Sequence, residues 1–169
     1  MTDAAKSAPL RPTDIALAAD PADAPGDARL VFIGRIHSAW SAGGDTPRNP
    51  TEARERQGGG VIQIDPPYRA GLRGLENYSH VFVLVWLDQS RRDIIVHQPK
   101  HFNEPRGVFS MRSPLRPNPI GLSAAKLISV DEQRGIVTLD AIDFRDGTPV
   151  IDLKPYRPGI DAIPDALVG

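Results

Sequence analysis

The stretch Arg112-Ser113-Pro114-Leu115-Arg116-Pro117-Asn118-Pro119-Ile120-Gly121-Leu122-Ser123 sets two guanidinium groups and a carboxamide on a backbone stiffened by three prolines. Each proline fixes its own φ and removes a backbone donor. Each also pushes the preceding residue out of the helical region, so Ser113, Arg116 and Asn118 are predicted to be extended. The polar side chains then sit on a rigid ledge before any ligand arrives. Preorganised guanidinium groups suit carboxylates and phosphates, which they grip through two parallel hydrogen bonds. The simpler alternative is a proline-rich surface loop with solvated arginines.

A second polar cluster follows, with Asp140, Asp143, Asp146 and Asp152 in a stretch that ends at Lys154 and Tyr156. Within it, Asp146-Gly147-Thr148-Pro149 predicts a turn, because Asp and Gly relieve the steric demands of tight reversals. A plain hairpin accounts for the turn. Yet the four acids would face the arginine ledge if the sheet closes into a barrel. Fixed arginine on one side and fixed aspartate on the other suits a zwitterionic ligand.

Other chemistries find little support. His97 and His101 have i, i+4 spacing, but Pro99 between them opposes a regular helix, so no metal site is expected. His37 and His80 fall at predicted strand edges, where packing or hydrogen bonding is the ordinary role. Gly58-Gly59-Gly60 follows a polar loop instead of a strand, so a dinucleotide fingerprint is absent, as are a phosphate-loop lysine and a GxSxG elbow.

The elements that must position these residues read as mainly β. Strands are predicted at 30–34, 61–64, 80–87, 107–111, 122–130, 135–142 and 150–153, with a further short strand within 13–18. The run 80–87 is continuously apolar and predicts burial on both faces. A hairpin turn is predicted at 130–135. Short helices are predicted at 51–56, 67–77 and 160–167, and residues 91–106 read as an exposed polar excursion. Few long helices and about seven strands point to a barrel or strongly curved sheet. Residues 38–60 form a long polar loop of the kind that is usually functional.

The 169 residues suit one domain, and the 40% hydrophobic content is enough for a core. Residues 1–29 hold five acidic and three basic side chains and no apolar period, which predicts a flexible extension ahead of a body at 30–169. With the whole chain at −1, that segment carries −2 and the body +1, so nucleic-acid binding would rest on a local basic patch. Arg91, Arg92, Lys100, His101, Arg106 and Arg116 form such a set. The absence of cysteine excludes a disulfide framework and thiolate zinc. No apolar run approaches a membrane span, and a cytoplasmic location with no membrane partner is expected.

Taken together, the motifs resemble the TsaA-like (TrmO) family. They include Ile33-Gly34-Arg35-Ile36, Pro47-Arg48-Asn49, Arg73-Gly74-Leu75-Glu76, Asp88-Gln89, Gly107-Val108-Phe109 and Arg112-Ser113 with Arg116-Pro117-Asn118-Pro119-Ile120-Gly121. Asp146-Gly147-Thr148-Pro149-Val150, Asp152-Leu153-Lys154-Pro155-Tyr156 and Pro164-Asp165-Ala166 complete the match, from about Phe32 to Ala166. The resemblance implies a single-sheeted β-barrel methyltransferase of non-Rossmann type, acting as a homodimer. It implies S-adenosylmethionine as cofactor and tRNA as partner, with methylation at N6 of the threonylcarbamoyl-modified adenosine 37 beside the anticodon. Larger bacterial relatives continue into a second domain, and some carry histidine where this chain has Asp88.

Carried over by position, the resemblance implies cofactor contacts from Pro47, Arg48, Asn49, Asp88, Gln89, Arg112, Leu122, Asp140, Asp143, Gly147, Thr148 and Pro149. It implies acceptor contacts from Arg116 and Asn118, with Asp146 and Tyr156 as candidate catalytic groups. A methyltransferase with another RNA or small-molecule acceptor, and a cofactor-binding module without turnover, are the alternatives.

Overall fold

A computed structural model describes residues 10–41, 45–100 and 102–167. Residues 1–9 of the predicted extension, 42–44 of the long loop and His101 of the histidine pair and basic set lie outside the described residues. Among the described residues, nine strands run in chain order: β1 (Ile15–Ala16), β2 (Gly34–His37), β3 (Gly60–Ile64), β4 (His80–Trp86), β5 (Ile94–His97), β6 (Arg106–Gly107), β7 (Ile120–Asp131), β8 (Ile136–Leu139) and β9 (Pro149–Pro155). Helices α1 (Pro50–Glu55) and α2 (Pro158–Asp161) are short. The fold is mainly β. Six strands close a barrel in the order β2-β3-β8-β7-β4-β9, and a separate three-stranded sheet runs β1-β5-β6. The described residues divide into two compact units. One draws on those within 32–85 and 122–167, the other on those within 10–31 and 86–121.

The barrel follows from period-two alternation, which sends every second side chain inward. Ile36 on β2, Ile62 and Ile64 on β3, Val81, Val83 and Val85 on β4, and Val137 and Leu139 on β8 are all buried. The β4 run, predicted to be buried on both faces, alternates instead. Phe82 and Leu84 are only half-buried, since a closed antiparallel barrel has a single interior. Tyr156 packs edge-to-face on Phe82 at 5.3 Å and covers part of that outer face.

Several other predictions shift. The strand expected at 30–34 begins at Gly34, where pairing with Ile64 of β3 and Val150 of β9 starts, and Leu30 to Phe32 stay exposed. The helix expected at 67–77 is two 3-10 turns, Pro66–Leu72 and Leu75–Asn77, broken by Gly74 at φ 86°. The helix expected at 160–167 is the single turn α2, and the strand expected at 135–142 stops at Leu139.

In the other unit, the expected excursion at 91–106 contains β5, whose Ile94 and His97 are buried. β1 pairs with β5 through Ile15↔Val96 and Ala16↔Ile94. The strand expected at 107–111 is a 3-10 turn, Val108–Ser110, because only Arg106 and Gly107 find a ladder partner. No described helix is long and apolar enough to cross a membrane.

Candidate functional site

The ends of β2 and β8 and the starts of β3 and β9 meet at one mouth of the barrel, as their registers require (His37↔Val61, Gly60↔Leu139, Arg35↔Pro149). The acidic loop between β8 and β9 is bound there to the loop that follows β2. Ser38 donates its N–H to Asp146 Oδ1 at 3.1 Å and its hydroxyl to Phe144 O at 2.9 Å. His37 Nδ1 lies 3.6 Å from the same Asp146 oxygen. Gly147 takes φ 77°, a left-handed value that side chains rarely adopt, and donates its N–H to Ile36 O at 2.9 Å. Thr148 is buried and its hydroxyl donates to Arg145 O at 2.7 Å. The turn is therefore fixed, and the Asp146 side chain remains 48% exposed at its apex.

Trp40 organises this mouth. Its indole N–H donates to Ile142 O at 2.8 Å, and its carbonyl accepts from Asp146 N–H at 2.9 Å. Arg56 stacks on its ring at 4.4 Å. Gly58 passes so close to the ring that any side chain there would clash. Sequence reasoning missed Trp40, although an isolated tryptophan beside a glycine-rich loop was a usable signal.

The remaining barrel candidates divide by what already holds them. Asp140 accepts from Arg54 Nε at 2.7 Å and from the Lys126 N–H at 2.8 Å. Burial pushes its carboxyl up, but these bonds outweigh it and hold the group below the usual carboxylate range. Asn49 caps α1 by accepting the Glu52 N–H at 2.9 Å, with Pro50 at the first helical position. Pro47 is buried, while the Arg48 side chain is 86% exposed. Asp143 is half-buried, Pro149 is buried, and Leu122 points outward from β7. Tyr156 lies at the opposite end of β9 beside His80, whose carbonyl accepts the Tyr156 N–H at 3.0 Å. It is seven residue steps from Pro149 along the strand, about 23 Å at the usual rise, so Tyr156 and Asp146 do not meet within one chain.

The ledge belongs to the other unit, and side chains brace it. Arg92 donates to Pro117 O at 2.6 Å and reaches Asn118 Oδ1 at 3.4 Å while stacking over Trp86 at 5.4 Å. Arg116 turns back to donate to Val108 O at 3.0 Å and Met111 O at 3.3 Å. His97 Nε2 and Ser113 Oγ are hydrogen-bonded at 2.9 Å, and the same oxygen accepts the Leu115 N–H. Burial holds His97 below its ordinary value of 6.5, with Arg11 pushing the same way and Asp14 opposing. Leu87 N–H donates to Pro119 O at 2.8 Å, which ties the exposed Asp88–Gln89 turn to the end of the ledge. Arg112 is exposed. In the predicted basic set, Arg91 pairs with Asp93 at 2.6 Å and both are largely buried, while Lys100 and Arg106 are exposed. Among the described residues no group of three potential metal ligands occurs.

The ledge presents an exposed arginine, Arg112, and the barrel mouth presents Asp146 on a fixed turn.

The family described as the tRNA-methyltransferase O N-terminal domain matches residues 35–162. VirR of Rhizobium radiobacter, named a probable S-adenosyl-L-methionine-binding protein, is 40% identical over 132 residues, covering 78% of this chain and 73% of VirR. The tRNA (adenine(37)-N6)-methyltransferase of Escherichia coli strain K12 is 36% identical over 142 residues, covering 79% of this chain and 60% of that enzyme. The crystal structure of TrmO from Pseudomonas aeruginosa superposes with a TM-score of 0.68 at 35% identity, covering 84% of this chain and 61% of that one. The chain thus spans about three fifths of the length of the last two. It belongs to the family of the tRNA-methyltransferase O N-terminal domain.

Proposed function

We propose that this protein is an S-adenosylmethionine-dependent methyltransferase that methylates N6 of threonylcarbamoyl-modified adenosine 37 in tRNA, in the cytoplasm. Membership over residues 35–162 in a family named for tRNA methyl transfer carries the reading. The residues fit the cofactor. Exposed Arg112 suits its carboxylate, and Asp143 its ammonium. Outward-facing Leu122 suits the adenine face, with backbone beside it for the adenine edge. Pro47, Arg48, Asn49, Asp88, Gln89, Asp140 and the Gly147-Thr148-Pro149 turn complete the proposed contacts. When bound, the cofactor supplies a methyl group already activated on a sulfonium, so acceleration rests mainly on positioning. Arg116 and Asn118 are the proposed acceptor contacts, at the end of the ledge that Arg92 braces. Asp146 is the proposed acceptor of the N6 proton. Tyr156, at the far end of β9, joins a shared site only from a second copy, in line with a homodimer. Outward Leu122 and Ile128 on β7, 47% and 58% exposed, support that assembly.

Transfer of labelled methyl to tRNA tests the reading. Label at N6 of the modified adenosine is the expected outcome. Cofactor binding with no transfer would favour a binding module. Label on another RNA base or on a small molecule would keep the enzyme and change its acceptor.

A further inference from the structure

We propose that Phe109 is a base-stacking residue that receives an unpaired nucleobase of the RNA acceptor, with Arg106 and Lys100 engaging the neighbouring phosphates. The inference rests on the reading above that the acceptor is RNA. Phe109 is 81% exposed, whereas no other Phe, Tyr or Trp among the described residues exceeds 39%. The adjacent Val108 is fully buried. The 3-10 turn that separates their fates is braced at both ends. Ser110 Oγ donates to Gly107 O at 2.8 Å, and Arg116 donates to the carbonyls of Val108 and Met111. The backbone that carries the ring is thus fixed, and the ring lies in solvent.

The segment that carries it is cationic. From Gln98 to Arg116 the described residues include Lys100, Arg106, Arg112 and Arg116 against the single acid Glu104. Arg106 already stacks on Phe102 at 4.2 Å, so a flat guanidinium is presented three residues before Phe109. An exposed ring among exposed cations is the arrangement by which proteins hold single-stranded RNA, with aromatic faces taking bases and basic groups tracking the backbone. A second copy fits this surface poorly. A two-fold contact centred on Phe109 would set its own cations against their symmetry mates.

The test is a binding titration of a fluorescent anticodon stem-loop with the full chain. F109A should weaken binding about ten- to a hundredfold, the range for loss of one stacked base, and leave the salt dependence unchanged. R106A should lower the salt slope by about one phosphate contact. F109L, apolar but without a π face, should behave like F109A. F109W should retain affinity, and its added fluorescence should be quenched by RNA. Calorimetric binding of S-adenosylmethionine checks that each variant is folded, and sedimentation reports assembly. Undiminished RNA affinity in F109A or F109L would overturn the proposal alone. A change of oligomeric state in F109A would overturn it in favour of a contact between copies. A wild-type protein that binds S-adenosylmethionine but not the stem-loop would overturn the RNA reading itself, and the stacking role with it.

Discussion

The barrel mouth and the proline ledge hold polar residues by opposite means. At the mouth, backbone does most of the fixing. The Asp146–Pro149 turn is bonded to β2 through Gly147 N–H to Ile36 O and Ile36 N–H to Thr148 O, both 2.9 Å. On the ledge, prolines remove backbone donors, and side chains take over as struts: Arg92 to Pro117 O, Arg116 to Val108 O and Met111 O, His97 to Ser113 Oγ. Residue type alone does not show these commitments. Asp140 bonds Arg54 and the Lys126 N–H, and Arg116 holds carbonyls of its own unit.

The sharpest break of the comparison is Trp40→Ala. It removes a buried indole and its bond to Ile142 O at the mouth, and should cost about 3–5 kcal/mol of barrel stability in urea unfolding. The ledge should respond locally. Arg116→Ala leaves the Val108 and Met111 carbonyls without that donor, at about 1–3 kcal/mol, and should raise amide exchange across 108–118 while the barrel amides stay protected. Uniform loosening of both units would contradict the division. The smallest effect concerns pH. The folded state holds His97 below its ordinary 6.5, so its contribution to stability is complete above that pH. The contribution is lost as pH falls from 6.5 through the lowered folded value, since the unfolded chain then binds the extra proton. Unfolding midpoints followed from pH 7.5 to 5 should show this slope, and His97→Gln should flatten it.

The barrel strands were legible as short apolar runs bounded by turn residues. The spans at 61–64 and 122–130 match β3 and the inner length of β7 within a few residues. β5 was hidden because burial in Ile94-Ile95-Val96-His97 ends on a histidine, which reads as polar until Ser113 satisfies it. The turn at Val108–Ser110 was hidden because its support comes from Arg116, eight residues on from Val108. Site chemistry was legible as residue types at motif spacing. Which groups were already committed was not, because the partners lie far along the chain: Arg54 for Asp140, and Ser38 for Asp146.

The most direct test of the account is calorimetric titration of S-adenosylmethionine into the wild-type protein and Arg112→Ala. The account predicts saturable binding by the wild type. It also predicts a loss in the variant of about ten- to a hundredfold, the scale of a hydrogen bond to a charged group. Full affinity in Arg112→Ala would contradict the assignment of the ledge arginine to the cofactor carboxylate.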